Sequence, residues 1–397
     1  MAQITQTPRS VPLRLNRLIK RFLPVFACTV LISQPAAAQE PVFNKALREE
    51  VVMVKKVGGL FDAELETTIF KPPGAGPFPV VVINHGKSPG DPRFQARGRM
   101  EWPAREFVAR GYMVALPMRQ GFSKSTGGYI GGGCNVESNG RVQAEDVAAT
   151  LNYLKTLPDA DAGSALVVGQ SHGGLTTMAF GTLNLPNVAG LINFAGGLRQ
   201  DSCPGWEGNL SRAFGNYGKQ TQLKSLWFYG DNDSFWQPWL YKEMYQKYTD
   251  AGGKARLVAF GNFGTDAHSL FGSRSGIPVW VPEVERFLAE LGLPFKKIHN
   301  IAIANHEAAP PASSGFAARE DEKALPFVKD PGRLGYQKFL DGDAPKAYAL
   351  SPKGAWAYVT GRANAMKAAT ERCNQNAKDD SCKLYAVDDD VVWRGEK

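Results

Sequence analysis

Gly169-Gln170-Ser171-His172-Gly173 sets a serine among small residues directly after the apolar run Ala165-Leu166-Val167-Val168. A serine hydroxyl is a poor nucleophile at neutral pH, so chemistry at Ser171 needs a base, and the base needs a carboxylate to hold its tautomer. The spacing predicts a tight strand-to-helix turn that strains the serine and lifts its hydroxyl above a sheet. The chain has five histidines. His85 follows an apolar run, His172 adjoins the serine, and His299 and His306 lie near a change in composition. His268 sits in Gly264-Thr265-Asp266-Ala267-His268, a loop after the last predicted strand of the sheet. A base must reach the sheet edge from such a loop, and His268 is the choice.

The acid should come from a loop between the serine and the histidine in chain order. Leu226-Trp227-Phe228-Tyr229-Gly230-Asp231-Asn232-Asp233 ends a strand, turns at glycine and offers two aspartates. Asp233 is preferred, because the extra residues let the chain fold back over the sheet, and Asp231 stays open as the alternative. Aspartates also form turns by local hydrogen bonding alone. An oxyanion hole would use the backbone N–H of His172 and that of Lys87, in the loop His85-Gly86-Lys87. His85 is expected to brace that loop.

These residues require a scaffold. Pro79–Ile83, Tyr112–Pro117, Ser164–Val168, Ala189–Phe194, Ser225–Tyr229 and Ala255–Phe260 are apolar runs of strand length. Helical stretches over 98–110, 142–156, 174–183, 238–251 and 282–291 alternate with them. Runs covered on both faces, alternating with helices, predict an α/β fold: a mostly parallel sheet with helices on both sides. Residues 50–56 and 63–71 predict an antiparallel pair at its edge.

The chain is 397 residues long. Arg9, Arg14, Arg17, Lys20 and Arg21 precede the apolar run Phe22–Ile32 and Ala36-Ala37-Ala38. Residues 1–38 therefore read as a signal peptide, too short in its apolar part to span a bilayer. Its removal takes five positive charges, so the formal +8 falls to +3. No basic stripe remains to bind nucleic acid. Cys134, Cys203, Cys373 and Cys382 survive, and an even count in an exported chain predicts disulfides, with Cys373–Cys382 a local pair and Cys134–Cys203 joining two loops. Residues 39–304 form the predicted catalytic domain and 305–325 a linker. Residues 326–397 form a small disulfide-linked α+β unit, an accessory or docking module for an envelope component. Asp388 to Asp390 read as a solvated turn rather than a calcium site. No metal or cofactor is expected.

Residues 46–292 resemble the α/β-hydrolases, and more closely the dienelactone-hydrolase-like and prolyl-oligopeptidase-like serine esterases. The resemblance rests on His85-Gly86, on Met118-Arg119-Gln120-Gly121-Phe122-Ser123, on a helix opened by Asp146 and on Gly169 to Gly174, with the order Ser, Asp, His. Dienelactone hydrolases carry cysteine where this chain has Ser171, so the resemblance implies ordinary small-molecule carboxylic esters as substrates. The lack of a β-propeller ahead of the catalytic region counts against an oligopeptidase. Arg119, Phe235 and Trp236 are candidate substrate contacts: Arg119, with Lys87, for an acidic group, and the rings, with Trp206 and Trp239, for an aryl or acyl chain. The glycine-rich loop before Cys134, tethered to Cys203, would form a shaped rim.

Overall fold

The computed structural model describes residues 43–58, 62–131, 133–301, 308–342, 344–362 and 364–395. The expected signal peptide, Cys28, His306 and residues 305–307 of the expected linker lie outside these. Strands β1 (Glu50–Lys56) and β2 (Ala63–Phe70) pair antiparallel. They flank β3 (Phe78–Asn84), β4 (Met113–Pro117), β5 (Ala160–Gln170), β6 (Val188–Phe194), β7 (Lys224–Tyr229) and β8 (Lys254–Ala259). The eight-stranded sheet runs β1-β2-β4-β3-β5-β6-β7-β8, parallel from β4 to β8. The six helices α1 (Glu101–Ala109), α2 (Val136–Leu154), α3 (His172–Gly181), α4 (Trp206–Gln220), α5 (Pro238–Asp250) and α6 (Ile277–Glu290) cover it.

Side-chain alternation along the strands splits the core in two. Val80, Val82 and Val167 meet Val147, Leu151, Met178, Phe214 and Met244 from α2 to α5. Val81, Ile83, Leu166 and Val168 meet Phe107, Trp280, Val284 and Phe287 from α1 and α6. Each such side chain contributes roughly 1.5–3 kcal/mol by leaving water, so the sheet's position is strongly fixed.

Three helices depart from expectation. α2 begins at Val136 rather than Val142, because Asn135 caps it by accepting the Ser138 N–H at 2.9 Å. Asp146 therefore lies inside that helix, not at its start. α6 begins at Ile277, before Pro282: Pro278 stands in its first turn, where a missing N–H costs little, and Pro282 lies inside the helix, where the Pro278 carbonyl loses its donor. α4 was not expected at all: Gly208, Gly215 and Gly218 weaken its helical signal, yet Leu210, Ala213, Phe214 and Tyr217 bury one face of it.

Toward the C-terminus, α7 (Asp330–Asp341), β9 (Ala347–Leu350), β10 (Trp356–Val359), α8 (Ala365–Ala377), β11 (Lys383–Val387) and β12 (Asp390–Val391) build a second sheet, antiparallel, in the order β10-β9-β11-β12. Tyr348 and Leu350 of β9 face Tyr336 and Phe339 of α7. Ala347 and Ala349 face the opposite way, onto Ala365, Ala369 and Cys373 of α8. The alanines let α8 approach, and the Cys373–Cys382 disulfide ties it to the start of β11. Cys134 and Cys203 are also bonded, across a separation of 69 residues. No helix among the described residues is long and apolar enough to cross a membrane.

Candidate active site

β5 ends at Gln170 and α3 starts at His172, leaving Ser171 alone in the turn, with φ 58° and ψ −124°. A non-glycine residue at positive φ costs on the order of 1–3 kcal/mol and persists only where its surroundings impose it. Here the Ser171 N–H donates to the Phe194 carbonyl at 2.9 Å, and the Ser171 carbonyl accepts from Gly174, Leu175 and Gly197. Gly173 is required for close approach: a Cβ there would sit 2.0 Å from the Asn84 carbonyl oxygen.

On one side of Ser171 lies the loop after β3. A Cβ on Gly86 would stand 3.3 Å from that of Ser171, so the backbone of this loop comes directly against the serine. No backbone hydrogen bond among the described residues takes the amide of Lys87 or of His172. The Lys87 ammonium turns to the carbonyls of Ser88 and Gly90, at 3.2 and 3.0 Å.

Arg119 holds this side together. Its side chain is fully buried, and donates to the His85 carbonyl at 2.7 Å, to Gln143 Oε1 at 2.7 Å and to His172 Nδ1 at 3.2 Å. A guanidinium only donates, so His172 must accept at Nδ1 and carry its proton on Nε2, which donates to Asn139 Oδ1 at 2.6 Å. Asn139 in turn donates to the carbonyls of Ile130 and Gly131 in the glycine-rich loop. His85 follows the same logic: Nε2 accepts the Arg119 N–H at 3.2 Å, and Nδ1–H donates to the Gly86 carbonyl at 2.6 Å. Burial, then the Arg119 charge, pushes both imidazoles well below the usual histidine range, so both are neutral. Burial also lowers Arg119 itself to about 10, against the pull of Asp146 and Tyr129. Arg119, expected to contact an acidic group of the substrate, has no exposed surface here, and it donates to three partners inside the protein. Buried Asp146 accepts from the Gln120 N–H at 2.7 Å and from Lys56 at 2.9 Å, bracing the chain next to Arg119.

On the other side, the loops after β7 and β8 meet. His268 Nδ1 lies 3.0 Å from Asp233 Oδ2 and 3.2 Å from Oδ1. Asp233 is buried and also accepts the N–H groups of Phe235 and Trp236, at 2.8 and 3.1 Å. Asp231, the alternative, instead accepts the Tyr241 hydroxyl at 2.9 Å. The His268 backbone is set by Asp266, whose carboxylate accepts the His268 N–H at 2.9 Å. Burial would raise the Asp266 pKa, but hydrogen bonds from Ser234 and His268 outweigh it and hold the group below its ordinary range. Gln170, not singled out from the sequence, donates to the His268 carbonyl at 3.1 Å and ties this loop to the residue before Ser171. Among the described residues no hydrogen bond joins the Ser171 hydroxyl to His268; such contacts commonly tighten only with substrate bound.

A cleft of about 540 Å³ opens at Ser171 and His172. Lys87, Tyr129, Leu198 and Arg199 line it with Phe235 and Trp236. The Phe235 ring sits 4.5 Å from that of His268. Trp236 is anchored through its indole N–H to the Ala195 carbonyl at 2.6 Å. Trp239, expected beside them, is 56% exposed and does not line the cleft. Gly131 and Gly133 line the cleft just before Cys134, and Leu198 to Asp201 line it just before Cys203, so the disulfide clasps two parts of the rim.

An antiparallel pair leading a parallel sheet, with a strained serine between β5 and the helix that follows, settles the architecture. The chain has the α/β-hydrolase fold. Residues 59–198 match the family model described as X-Pro dipeptidyl-peptidase (S15 family). Among solved structures, a protein named as a dienelactone hydrolase from Klebsiella pneumoniae aligns at 16% identity and a TM-score of 0.44, covering 62% of this chain and 98% of that one. The Pyrococcus furiosus esterase Pf2001 aligns at 17% identity and a TM-score of 0.45, over 62% of this chain and 92% of that one. The Pyrococcus horikoshii acylaminoacyl peptidase aligns at 18% identity and a TM-score of 0.48, over 64% of this chain but only 44% of that longer one. No curated protein sequence matches the chain. The family match supports a serine hydrolase of this fold, an esterase or a peptidase.

Proposed function

We propose that this chain is an exported serine hydrolase that cleaves carboxylic esters. Ser171 attacks the ester carbonyl while His268 Nε2 takes the hydroxyl proton. Asp233 holds the Nδ1–H tautomer and stabilises the imidazolium that forms. The amides of Lys87 and His172 receive the oxyanion, helped by the N-terminal end of α3. His268 returns the proton to the leaving alcohol, and water then releases the acyl group by the same route. The observation that carries this reading is the Asp233–His268 pair, set by Gln170 against the strained turn of Ser171.

The peptidase reading follows from the family match, and the charge of the cleft weighs against a dipeptidyl version of it. A free N-terminal ammonium calls for an unpaired carboxylate. Among the lining residues the one carboxylate, Asp201, is paired with Arg199 at 2.6 Å, and Lys87 adds further positive charge. Two disulfides support export. A panel of aryl and alkyl esters beside aminoacyl amides tests the assignment. Ester turnover lost in Ser171→Ala is the expected outcome, and amide turnover without ester turnover would overturn it.

A further inference from the structure

The turn between β11 and β12 holds the acidic run 388–390. Asp388 closes its own sheet: its carboxylate accepts the Lys346 N–H at 2.8 Å, and its N–H donates to the Lys346 carbonyl at 2.9 Å. Asp389 reaches outside that sheet. Its carboxylate pairs with Arg319 at 2.5 Å and with Arg274. Arg319, in the segment expected as a linker, is held to the C-terminal unit: its carbonyl accepts the Tyr336 hydroxyl from α7 at 2.8 Å. Arg274 belongs to the segment that carries His268.

That segment has little slack. Leu270 N–H donates to Ala267, Ser273 to Ser269, and Ile277 to Arg274, so hydrogen-bonded turns run from His268 into α6. Phe271 stacks at 4.0 Å on Phe194, whose carbonyl accepts the Ser171 N–H. A cavity of about 590 Å³ lies between Thr265 and Ser269 on one side and Arg319, Glu322 and Asp341 on the other.

We propose that the C-terminal unit positions the base: Asp389, acting through Arg274, fixes the loop that presents His268 to Ser171. Asp389 is a positioning residue and touches neither substrate nor serine. The inference rests on the reading of Ser171, His268 and Asp233 as a triad. A partly exposed ion pair adds little to stability, but a displacement of about 1 Å in a catalytic group can cost roughly 100-fold in rate. Without Asp389, Arg319 keeps Glu320 at 2.6 Å, but Arg274 loses the carboxylate that ties it to the C-terminal unit, and the loop is free to shift.

The test uses the full chain and reads kcat and KM on an aryl acetate, with the rate of labelling by a fluorophosphonate. Asp389→Ala is expected to lower kcat and the labelling rate about 10-fold, leave KM within about twofold, and shift Tm by no more than about 3 °C. Asp389→Glu should restore most of the rate. Arg274→Gln, which leaves the C-terminal unit untouched, should reproduce the loss and decides the matter if Asp389→Ala does not fold. Wild-type kcat in folded Arg274→Gln or Asp389→Ala overturns the proposal alone. A wild-type protein that neither turns over ester nor takes the label overturns the hydrolase reading as well.

Discussion

The loop of His85 to Lys87 hangs on Arg119, which has no exposed surface and joins the loop, α2 and the start of α3 in one web of neutral acceptors. The His268 loop, across Ser171, presents a ring that stays 14% exposed and is held by Gln170, Asp266 and Arg274, the last 34% exposed. The difference follows from what each side must do. Amides that receive an oxyanion work best fixed in advance, in a dry and rigid setting. A base must accept and return a proton and meet substrate, so its ring has to stay open to the cleft.

If that division holds, substitutions on the two sides should fail differently. His268→Ala removes chemistry with little structure: kcat is expected to fall by roughly 10⁴–10⁶, while the urea midpoint moves little. A loss of kcat below about 100-fold would mean another group is the base. Arg119→Met removes structure first. It strands the His85 carbonyl, Gln143 and His172 Nδ1 without their donor, and should cost about 3–5 kcal/mol in urea unfolding. Arg119→Lys should not rescue it, since one ammonium cannot span three divergent acceptors.

Acid should also find the fixed side first. His85 and His172 are neutral in the fold because their pKa values are depressed, whereas the unfolded chain protonates near 6.5. The unfolded state then binds more protons, so stability is full above about pH 6.5 and declines below it, at up to about 2.7 kcal/mol per pH unit for two groups. Urea midpoints measured from pH 7.5 to 5 check the sign, and a flat profile would show that the two rings take up protons in the fold as readily as in the unfolded chain. Lys87→Ala should matter least. In the proposed mechanism only its amide receives the oxyanion, so kcat should change by less than about fivefold, or about 1 kcal/mol; a loss near 100-fold would assign the ammonium a direct role.

The same contrast governs what could be read from the sequence. Ser171, the loop at Gly86 and the pair Asp233–His268 sit at the ends of short apolar runs, and such runs announce their strands locally. The choice between Asp231 and Asp233 required three dimensions, because both follow the same turn and only the fold shows Tyr241 taking one and His268 the other. Arg119 looked like a substrate contact because a loop arginine near a nucleophile is usually exposed. Its partner Gln143 lies on α2, as does Asn139, which takes the His172 N–H; the expected start at Val142 left Asn139 outside that helix. Helix α4 stayed hidden because tertiary burial overrides its glycines. The Asp389–Arg274 pair leaves no local trace, since it joins segments far apart in the chain.

The central claim is that Ser171 is an activated nucleophile, and a fluorophosphonate probe tests it most directly on the purified protein beside Ser171→Ala. The account expects one label per chain, mapped by peptide mass spectrometry to Ser171 and absent from the variant. A well-folded wild-type protein that takes no label, or takes it equally in Ser171→Ala, would contradict it.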